Sequence, residues 1–450
     1  MKFLNKQFTQ ETLKLALPVM LTQVGQVSVN LFDNIIVGKL LGAKALAAVS
    51  IGNAMFFSIF IFGLGFSLAI PPLVSEAHSQ HNHNRINSIF RHGFVVNIIL
   101  AFVLMLLIFG IIPLMPYLNQ PKEILPDTIT FLSIVTLSII PFMIFQTMRE
   151  VSEGLSFTIG VTKATIFANI INVILNYVFI EHFKMGVAGS AWATFIARVA
   201  MMVFLYYVLI KEEKTRRYIK DFSLKIKDFT KEMFEKLIRL GFPTALQLFF
   251  EVTAFAGAAF ICGLISAKDI AAHQIALSMA SFTFNLCVGF SVASTVMIGR
   301  KLGEKDFVNL EKVGFNNLKI AFIFMLMCGL VFILGKDVLP TFFTKKEDIA
   351  VVELASQLMI IAALFQLSDG IQVTALGCLR GIQDVKIPSI LTFIAYWVIT
   401  IPLGYYLTVP MKMGAFGMWI ALGIGLTISA VLLVIRFRNL SEKRIKTQSN

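Results

Sequence analysis

The sequence predicts an all-α membrane protein of 12 transmembrane helices, arranged as two six-helix lobes that are related by a parallel internal repeat. Of its 450 residues, 57% are apolar and 14% are charged, whereas soluble domains carry about 45–50% apolar and about 25% charged residues. The apolar runs are continuous over about 20 residues, which favours helices over the alternating strands of a membrane barrel. This composition excludes disordered, collagen-like and soluble α/β enzyme classes.

Apolar runs bounded by charged residues, Gly and Pro locate the predicted spans. The first run continues through Pro18 without a small-residue cleavage site, so it is interpreted as a retained first span. In the first half, spans are expected at 15–38, 46–75, 93–113, 128–148, 164–180 and 186–210. In the second half, they are expected at 241–265, 270–298, 319–339, 350–376, 388–409 and 413–435. The resulting division is an N-lobe (1–210), a basic connector (211–240), a C-lobe (241–436) and a tail (437–450).

Four short motifs recur in the same order in both halves, which indicates an internal duplication. ALPVM around Pro18 is followed by GFPTA around Pro243, and AKALAAVS at 43–50 by AKDIAAHQ at 267–274. GFSLA and MGVAG of the first half recur as GFSVA and MGAFG of the second. Because six spans separate equivalent motifs, both halves enter the membrane from the same side, as in parallel repeats.

Lysine and arginine are concentrated in alternate loops. Twenty-nine lie on the side of the N-terminus and nine on the opposite side, with Arg198 inside a span. The positive-inside rule therefore predicts a multi-pass protein of the cytoplasmic (inner) membrane with both termini and the connector in the cytoplasm. This bias explains the net charge of +13, so membrane lipids are the expected partner of the connector and no nucleic acid is expected.

Three carboxylates fall within predicted spans: Asp33, Glu251 and Asp369. A charge at the centre of a span costs about 2.5–3.5 kcal/mol on insertion scales, so each requires a reason. A site for a cation or a substrate is one explanation. The other is a carboxylate near a span end that reaches water or caps a neighbouring helix.

Neutral oxygen donors accompany Asp33. Asn172 and Asn176 are four residues apart and therefore share one helix face, and Thr194 offers a hydroxyl in the next span. Carboxylate, amide and hydroxyl oxygens suit a small hard cation or a proton relay. The competing explanation is that these amides only join neighbouring helices.

Other polar and aromatic residues give weaker signals. The histidines of HSQHNHNRINSIFRH, which are His78, His81, His83 and His92, are expected to be solvated in a polar loop. The four scattered cysteines predict neither a zinc site nor a disulfide framework, and Arg198 is expected either to pair with an acid or to snorkel. Four phenylalanines are possible cavity-lining residues, with ordinary packing as the alternative: Phe32, Phe250, Phe255 and Phe365.

Four longer segments are distributed over nearly the whole chain: FDNIIVGKLLGAKALAAVS, LNYVFI followed by GVAGSAWAT, FPTALQLFFEVTAF and CLRGIQDVKIP. In this order and spacing they resemble the multidrug and toxic compound extrusion (MATE) family, in its NorM-like branch. This resemblance implies a twelve-helix exporter, not an enzyme, that expels cationic drug-like molecules in exchange for Na⁺ or H⁺, without another cofactor and as a monomer.

The resemblance also implies roles for individual residues. The N-lobe coupling acid falls on Asp33, with Asn172, Asn176 and Thr194 as its partners, and the C-lobe acids fall on Glu251 and Asp369. Two departures from the family pattern are present. Asn176 replaces an acid found in some branches, and Phe365 stands where a tyrosine is expected, which removes a possible hydroxyl ligand.

Alternative functions and the identity of the driving ion stay open. A related flippase of lipid-linked sugars would share the repeat, but extra spans and several cavity arginines would be expected, whereas only Arg198 falls within a predicted span. A membrane enzyme lacks an HExxH or GxSxG motif within the spans, and a channel lacks a filter-like motif. The extra neutral oxygens around Asp33 favour Na⁺ over H⁺, whereas Glu251 and Asp369 could share a proton as a coupled pair.

Overall fold

The computed structural model describes residues 4–117, 123–225, 228–343 and 349–449. The described residues of the first half form nine α-helices: α1 (Lys6–Leu41), α2 (Ala43–Ser67), α3 (Ile70–Ser79), α4 (His83–Ile111), α5 (Leu125–Leu137), α6 (Ile139–Gly154), α7 (Ile159–Tyr177), α8 (Gly186–Lys211) and α9 (Glu213–Lys220). Those of the second half form seven: α10 (Lys231–Gly263), α11 (Ala267–Gly303), α12 (Phe307–Gly335), α13 (Ile349–Gly381), α14 (Lys386–Phe393), α15 (Ile401–Thr408) and α16 (Gly414–Ser449). Short π-helical segments, Val178–His182 and Ile394–Thr400, continue α7 and join α14 to α15.

The helices confirm the predicted all-α membrane class. Eleven helical segments of the described chain are long and apolar enough to cross a membrane. The pair α5 and α6 bends by 42° at its junction and supplies a twelfth if it is taken as one span. The predicted number of 12 therefore agrees with the helices, with the fourth span bent at Ser138.

Two compact units make up the chain. One comprises Met1–Met20 and Leu246–Asn450, and the other comprises Leu21–Ala245; we call them the second-half unit and the first-half unit. The unit boundaries differ from the predicted lobes, because the start of α1 belongs to the second-half unit and residues 211–245 belong to the first-half unit. Both boundaries fall inside a helix, two or three residues after Pro18 and Pro243.

Hydrogen bonds hold each of these leading helical segments within its unit. Thr12 donates to Asn317 Oδ1 at 2.6 Å, and Arg300 pairs with Glu11 at 2.8 Å, both within the second-half unit. In the first-half unit, the Thr230 amide just before α10 donates to His92 Nε2 at 2.9 Å. The leading turns of α1 and α10 are thus fixed by side-chain contacts as well as by packing.

Backbone conformation repeats between the halves at the helix ends. In the part of the chain that the structure describes, six non-glycine residues have a positive φ, which is uncommon for L-residues. They form three pairs: His81 with Lys305, Ser156 with Gln383, and Lys184 with Lys412. The members of a pair are 224, 227 and 228 residues apart, within the range of 224 to 228 that separates the sequence motifs. The duplication therefore extends to single-residue turn geometry.

Close packing at equivalent glycines repeats as well. A Cβ added at Gly65 would lie 2.6 Å from the Ala245 Cα, and one added at Gly289 would lie 2.8 Å from the Ala16 carbonyl oxygen. These glycines belong to the recurring GFSLA and GFSVA motifs. Gly65 lets the backbone of α10 approach α2 closely, and Gly289 lets the backbone of α1 approach α11 closely, in each case within one unit.

The structure corrects several local expectations. The segment with four histidines is a solvated loop only in part, because His81 lies exposed in the turn before α4, whereas His92 lies within α4 and is fully buried, with its Nδ1 bonded to the Ser88 carbonyl. Helix α16 runs to Ser449 and so continues from the last predicted span into the predicted tail. Helices α6 and α13 extend beyond the predicted spans and carry the buried Arg149 and Arg380.

Candidate functional site

The first-half unit places Asp33 of α1 against α7. Asn176 Nδ2 donates to Asp33 Oδ1 at 2.6 Å and lies 3.3 Å from Asn172 Oδ1. All three side chains are buried, and the Asn176 carbonyl oxygen has no hydrogen-bond partner among the described residues. The four-residue spacing on α7 thus places both amides on one helix face, as the sequence predicts, with Asn176 bonded to the carboxylate and Asn172 bonded to Asn176.

Thr194 and Arg198 of α8 have different hydrogen-bond partners. The Thr194 hydroxyl donates to the Ser190 carbonyl of its own helix at 3.1 Å. The Arg198 guanidinium donates to Ser138 Oγ at 2.6 Å and lies over the rings of Phe56 and Phe142. These contacts are with side chains of its own unit, so Arg198 packs within that unit rather than snorkelling.

The second-half unit contains a polar network around Glu251 of α10. Gln372 Nε2 on α13 donates to Glu251 Oε1 at 3.2 Å. The Tyr396 hydroxyl donates to the Gln372 carbonyl, also at 3.2 Å. All three side chains are buried, and Arg380 of α13 interacts electrostatically with Glu251. Tyr396 therefore brings a phenolic oxygen to this network from a different helix than the family pattern suggests.

Asp369 lies on the same helix as Gln372, three residues earlier, and is buried. Its charge interacts unfavourably with that of Glu251, so two like charges share one interior. A buried carboxylate favours neutralisation by a proton, a metal cation or an organic cation. The two acids would therefore bind positive charge more readily as a pair than either would alone.

The four predicted cavity phenylalanines lie in different environments. Phe32 is 48% exposed, whereas Phe365 is buried in the core of its unit. Phe255 contacts both Phe365 and Tyr396 through their rings, with centroids 6.2 and 5.9 Å apart. Phe250 packs on Phe393 at 4.8 Å. Three of the four are thus in aromatic packing of the second-half unit, and a role for any of them in a cavity stays a prediction.

Several buried polar residues escaped the sequence analysis. Gln372 had a detectable signal, because it lies three residues after Asp369 and so shares its helix face. Tyr396 had none, since tyrosines are common near span ends. On α6, the buried Arg149 pairs with Glu153 at 2.7 Å, and Gln146 donates to Glu150 at 2.6 Å. The charged residues Arg149, Glu150 and Glu153 lie beyond the end of the predicted fourth span, at residue 148.

The donors present fit a monovalent cation in both halves. In the first half they are one carboxylate and two amides, beside Arg198. In the second half they are two carboxylates, an amide and a phenol, beside Arg380. All are the oxygen ligands that hard cations prefer. Bringing one positive charge to either set would relieve the cost of burying a carboxylate.

The fold and its repeated halves define a multi-pass membrane protein of the type found in duplicated transporters. The MatE family model matches the chain twice, at residues 18–178 and at residues 243–406. The two matches begin 225 residues apart (243 minus 18), as the motif separations predict. The chain belongs to the MATE family.

Relatives with the same length support this assignment. The multidrug resistance protein NorM of Photobacterium profundum is 31% identical over 439 residues, covering 96% of this chain and 95% of that protein. A probable NorM of Agrobacterium fabrum is 33% identical over 443 residues, with coverage of 97% and 95%. The multidrug resistance protein MdtK of Yersinia pseudotuberculosis is 30% identical over 440 residues, with coverage of 96% and 95%.

Solved structures share the fold. A MATE transporter in a bent conformation superimposes with a TM-score of 0.89 at 19% identity, covering 98% of this chain and 97% of the other. The eukaryotic MATE transporter AtDTX14 gives a TM-score of 0.88 at 17% identity, covering 98% and 99%.

Proposed function

We propose that this protein is a secondary active multidrug exporter of the cytoplasmic membrane, which exchanges cationic amphiphilic compounds for Na⁺ or H⁺ by alternating access. The observation that carries the proposal is a buried carboxylate network in each half, Asp33 with Asn176 and Glu251 with Gln372. The relatives named for multidrug resistance support the substrate class. No covalent chemistry is required, because the substrate and the driving cation are exchanged unchanged.

The exchange mechanism follows from competition for buried negative charge. A cationic substrate and the driving cation can each neutralise the same carboxylates, so binding of one favours release of the other. Each ligand shifts the balance between inward-open and outward-open states only by its difference in affinity for the two states. Asp33 is proposed as the central coupling residue of the first half, and Glu251 with Asp369 as the cation or substrate site of the second.

We favour Na⁺ as the driving ion. A proton needs only the carboxylate, whereas the Asn172 and Asn176 oxygens, with the Thr194 hydroxyl of the next helix, suit a metal cation. Phe365 removes one expected hydroxyl from the second half, but Tyr396 supplies another within the Glu251 network. The second half therefore keeps its capacity to bind Na⁺.

The test is efflux of a fluorescent lipophilic cation from proteoliposomes. At fixed pH, an inward Na⁺ gradient should accelerate efflux, and replacement of Na⁺ by K⁺ should remove the effect. The same gradients are imposed on Asp33→Asn and Glu251→Gln to identify the half that responds. Efflux that ignores Na⁺ and follows a proton gradient would reassign Asp33 as a proton acceptor, and no response to either gradient would refute exchange.

The proposed topology has both termini and the connector in the cytoplasm. A single cysteine at Lys220 should resist an impermeant thiol reagent in intact cells, and one at Lys184 in the opposite loop should react. The native cysteines Cys262, Cys287 and Cys378 are buried, and Cys328 would be replaced by serine in both variants. Labelling at Lys220 with protection at Lys184 would invert the topology.

The flippase alternative gains little from the additional buried arginines. Such a function would need arginines available to hold phosphate. Arg149 is paired with Glu153, and Arg380 and Arg198 interact with Glu251 and Asp33. The interior arginines of each half are thus matched with acids and are not available to hold phosphate. This favours a cationic rather than an anionic substrate.

A further inference from the structure

A groove of about 520 Å³ lies between the start of α12 and the end of α16, within the second-half unit. It shares no residue with either carboxylate network. Seven described residues line it, of which three are basic and none is acidic: Lys305, Phe307, Leu440, Lys443, Arg444, Thr447 and Gln448. We call it the basic groove. Its volume is in the range of small-ligand sites, and its positive charge favours an anion.

Arg444 is held in a fixed orientation at this groove. Its guanidinium carbon lies 6.0 Å from the centre of the Phe307 ring, a distance at which a cation interacts with an aromatic face. Its Nη2 donates to the Ile382 carbonyl at 3.4 Å. A guanidinium carries five N–H donors in a planar fork that matches phosphate oxygens. The groove is therefore built around an oriented arginine.

The acids next to the groove lysines in sequence are paired with bases outside the groove. Both Lys305 and Lys443 are exposed, and neither forms an ion pair within the part of the chain that the structure describes. The neighbouring ion pairs are Glu304 and Asp306 with Lys301, at 2.7 and 3.4 Å, and Glu442 with Arg438, at 2.7 Å. The charge of the two lysines is therefore not neutralised by the adjacent acids.

The first half uses the equivalent basic residues differently. At the repeat separation of 227 residues, Lys443 and Arg444 correspond to Arg216 and Arg217. Arg216 donates to two backbone carbonyls at the end of α8, at 3.0 and 3.1 Å, and Arg217 lies 3.8 Å from Asp221. The first half thus satisfies this basic pair within the protein, whereas the second half presents Lys443 at an open groove.

The depth of the groove favours a lipid headgroup as the source of the anion. The last predicted span ends at residue 435, and Leu440 and Lys443 follow five and eight residues later on α16. At 1.5 Å per residue they lie about 8–12 Å beyond the span, and long basic side chains reach back towards the headgroup layer. The predicted topology places this end in the cytoplasm, where the adjoining leaflet carries anionic lipids.

We propose that the basic groove binds the phosphate group of an anionic phospholipid of the cytoplasmic leaflet. Lys305, Lys443 and Arg444 bind the phosphate oxygens, and Phe307 with Leu440 contact the apolar part of the lipid beside the headgroup. The bound lipid joins α12 to the end of α16. This site is distinct from the proposed cation sites, and lipid binding needs neither a substrate nor an ion gradient.

The experiment is a lipid titration of the purified full-length protein. Phosphatidylglycerol is added to protein in mixed micelles of detergent and phosphatidylcholine, and the unfolding temperature is recorded as its mole fraction rises. The parent protein should be stabilised in a saturable manner. The double variant Lys305→Gln, Lys443→Gln should raise the half-saturating mole fraction about tenfold. The matched control is Lys14→Gln with Lys312→Gln, which removes two exposed lysines outside the groove and should stay within about twofold of the parent.

A second variant tests the groove itself rather than its charge. Thr447→Trp keeps all three basic residues but fills the groove with a large side chain, so it should weaken lipid binding as the lysine pair does. Equal losses in the lysine pair and in its control would reduce the effect to general surface attraction and overturn the proposal. A Thr447→Trp variant that binds phosphatidylglycerol like the parent would overturn it as well.

A third titration distinguishes a lipid from a soluble phosphate compound. Sodium phosphate is compared with sodium chloride at equal ionic strength, in micelles without phosphatidylglycerol, and the two salts should give equal unfolding temperatures. Stabilisation by inorganic phosphate that disappears in the lysine pair, without a response to the lipid, would assign the groove to a soluble ligand and contradict the lipid proposal. Since no drug or gradient is present, failure of the proposed exchange function leaves these results unchanged.

Discussion

The two halves of the chain share a backbone plan but not the polar residues placed on it. At the repeat separations, Asp33 of the first half corresponds to Ala258, and Arg198 corresponds to Leu426. In the reverse direction, Asp369 corresponds to Phe142. The remaining correspondences of the two networks are Asn172 with Ile399, Asn176 with Leu403, Glu251 with Gln26, Gln372 with Phe145, and Tyr396 with Asn169.

This difference indicates which features of a duplicated fold are free to diverge. Helix ends and close helix contacts depend on local geometry, and both halves retain them as paired turns and as Gly65 with Gly289. A cation network depends on a few side chains in an otherwise apolar interior, so each half can place them on different helices. The first half combines one acid with a nearby arginine, whereas the second combines two acids with one arginine.

The largest expected effects come from neutralising the acids. Asp33→Asn removes the charge while nearly preserving shape, so drug export in proteoliposomes should fall at least about tenfold, with normal elution in size-exclusion chromatography. Glu251→Gln should do the same, because both halves are proposed to contribute. Asp337→Asn, at an exposed carboxylate outside the networks, should be neutral. Full drug resistance in cells that express Asp33→Asn at normal levels would remove its coupling role.

A second prediction concerns the network that is present in the second half alone. Tyr396→Phe deletes the hydroxyl that donates to Gln372, and an unsatisfied buried group costs about 1–3 kcal/mol. We expect a lower thermal unfolding temperature in detergent and a several-fold weaker Na⁺ dependence of efflux. Tyr405→Phe, at a half-exposed position, is the matched control. Equal behaviour of the two variants would show that the phenol is not part of the site.

The sequence predicted the class, the repeat and the shared helix face of the two asparagines beside Asp33 because these depend on local patterns. Apolar runs mark spans, motif order marks duplication, and the spacing of Asn172 and Asn176 fixes a shared helix face. Contacts between distant helices have no such signal, which is why Tyr396 was missed. The segment before His92 was interpreted as a loop from its polar residues, although Asn82 at the helix start and the following apolar residues indicate α4.

The unit boundaries had no clear sequence signal either. Pro18 and Pro243 mark the helices concerned, but proline alone does not reveal which unit the preceding turns join. That assignment depends on contacts more than 280 residues apart in sequence, such as Thr12 with Asn317 and Glu11 with Arg300. Helix termini could be estimated from the sequence, whereas the partner of each terminus required the folded chain.

A third, smaller effect tests the repeated packing. Gly65→Ala and Gly289→Ala would each force a methyl group against backbone atoms at 2.6 and 2.8 Å, at a cost of about 1–3 kcal/mol. Both variants should unfold at lower temperature by similar amounts. Gly110→Ala and Gly423→Ala, where nothing lies within 4 Å of the added atom, provide one control in each half. A large effect at Gly65 with none at Gly289 would show that the packing has diverged.

The smallest expected effect lies at the paired turns. Lys184 and Lys412 have φ angles of 52° and 57°, a conformation that costs L-residues about 1–2 kcal/mol and that glycine adopts freely. Glycine also increases the entropy of the unfolded chain, which offsets part of this gain. Lys184→Gly and Lys412→Gly should therefore each stabilise the protein by less than about 1 kcal/mol, seen as a small rise in unfolding temperature. Valine at either position should lower it, because a β-branched side chain is strained there. If glycine stabilises one turn and destabilises the other, the repeat does not extend to the energetics of its turns.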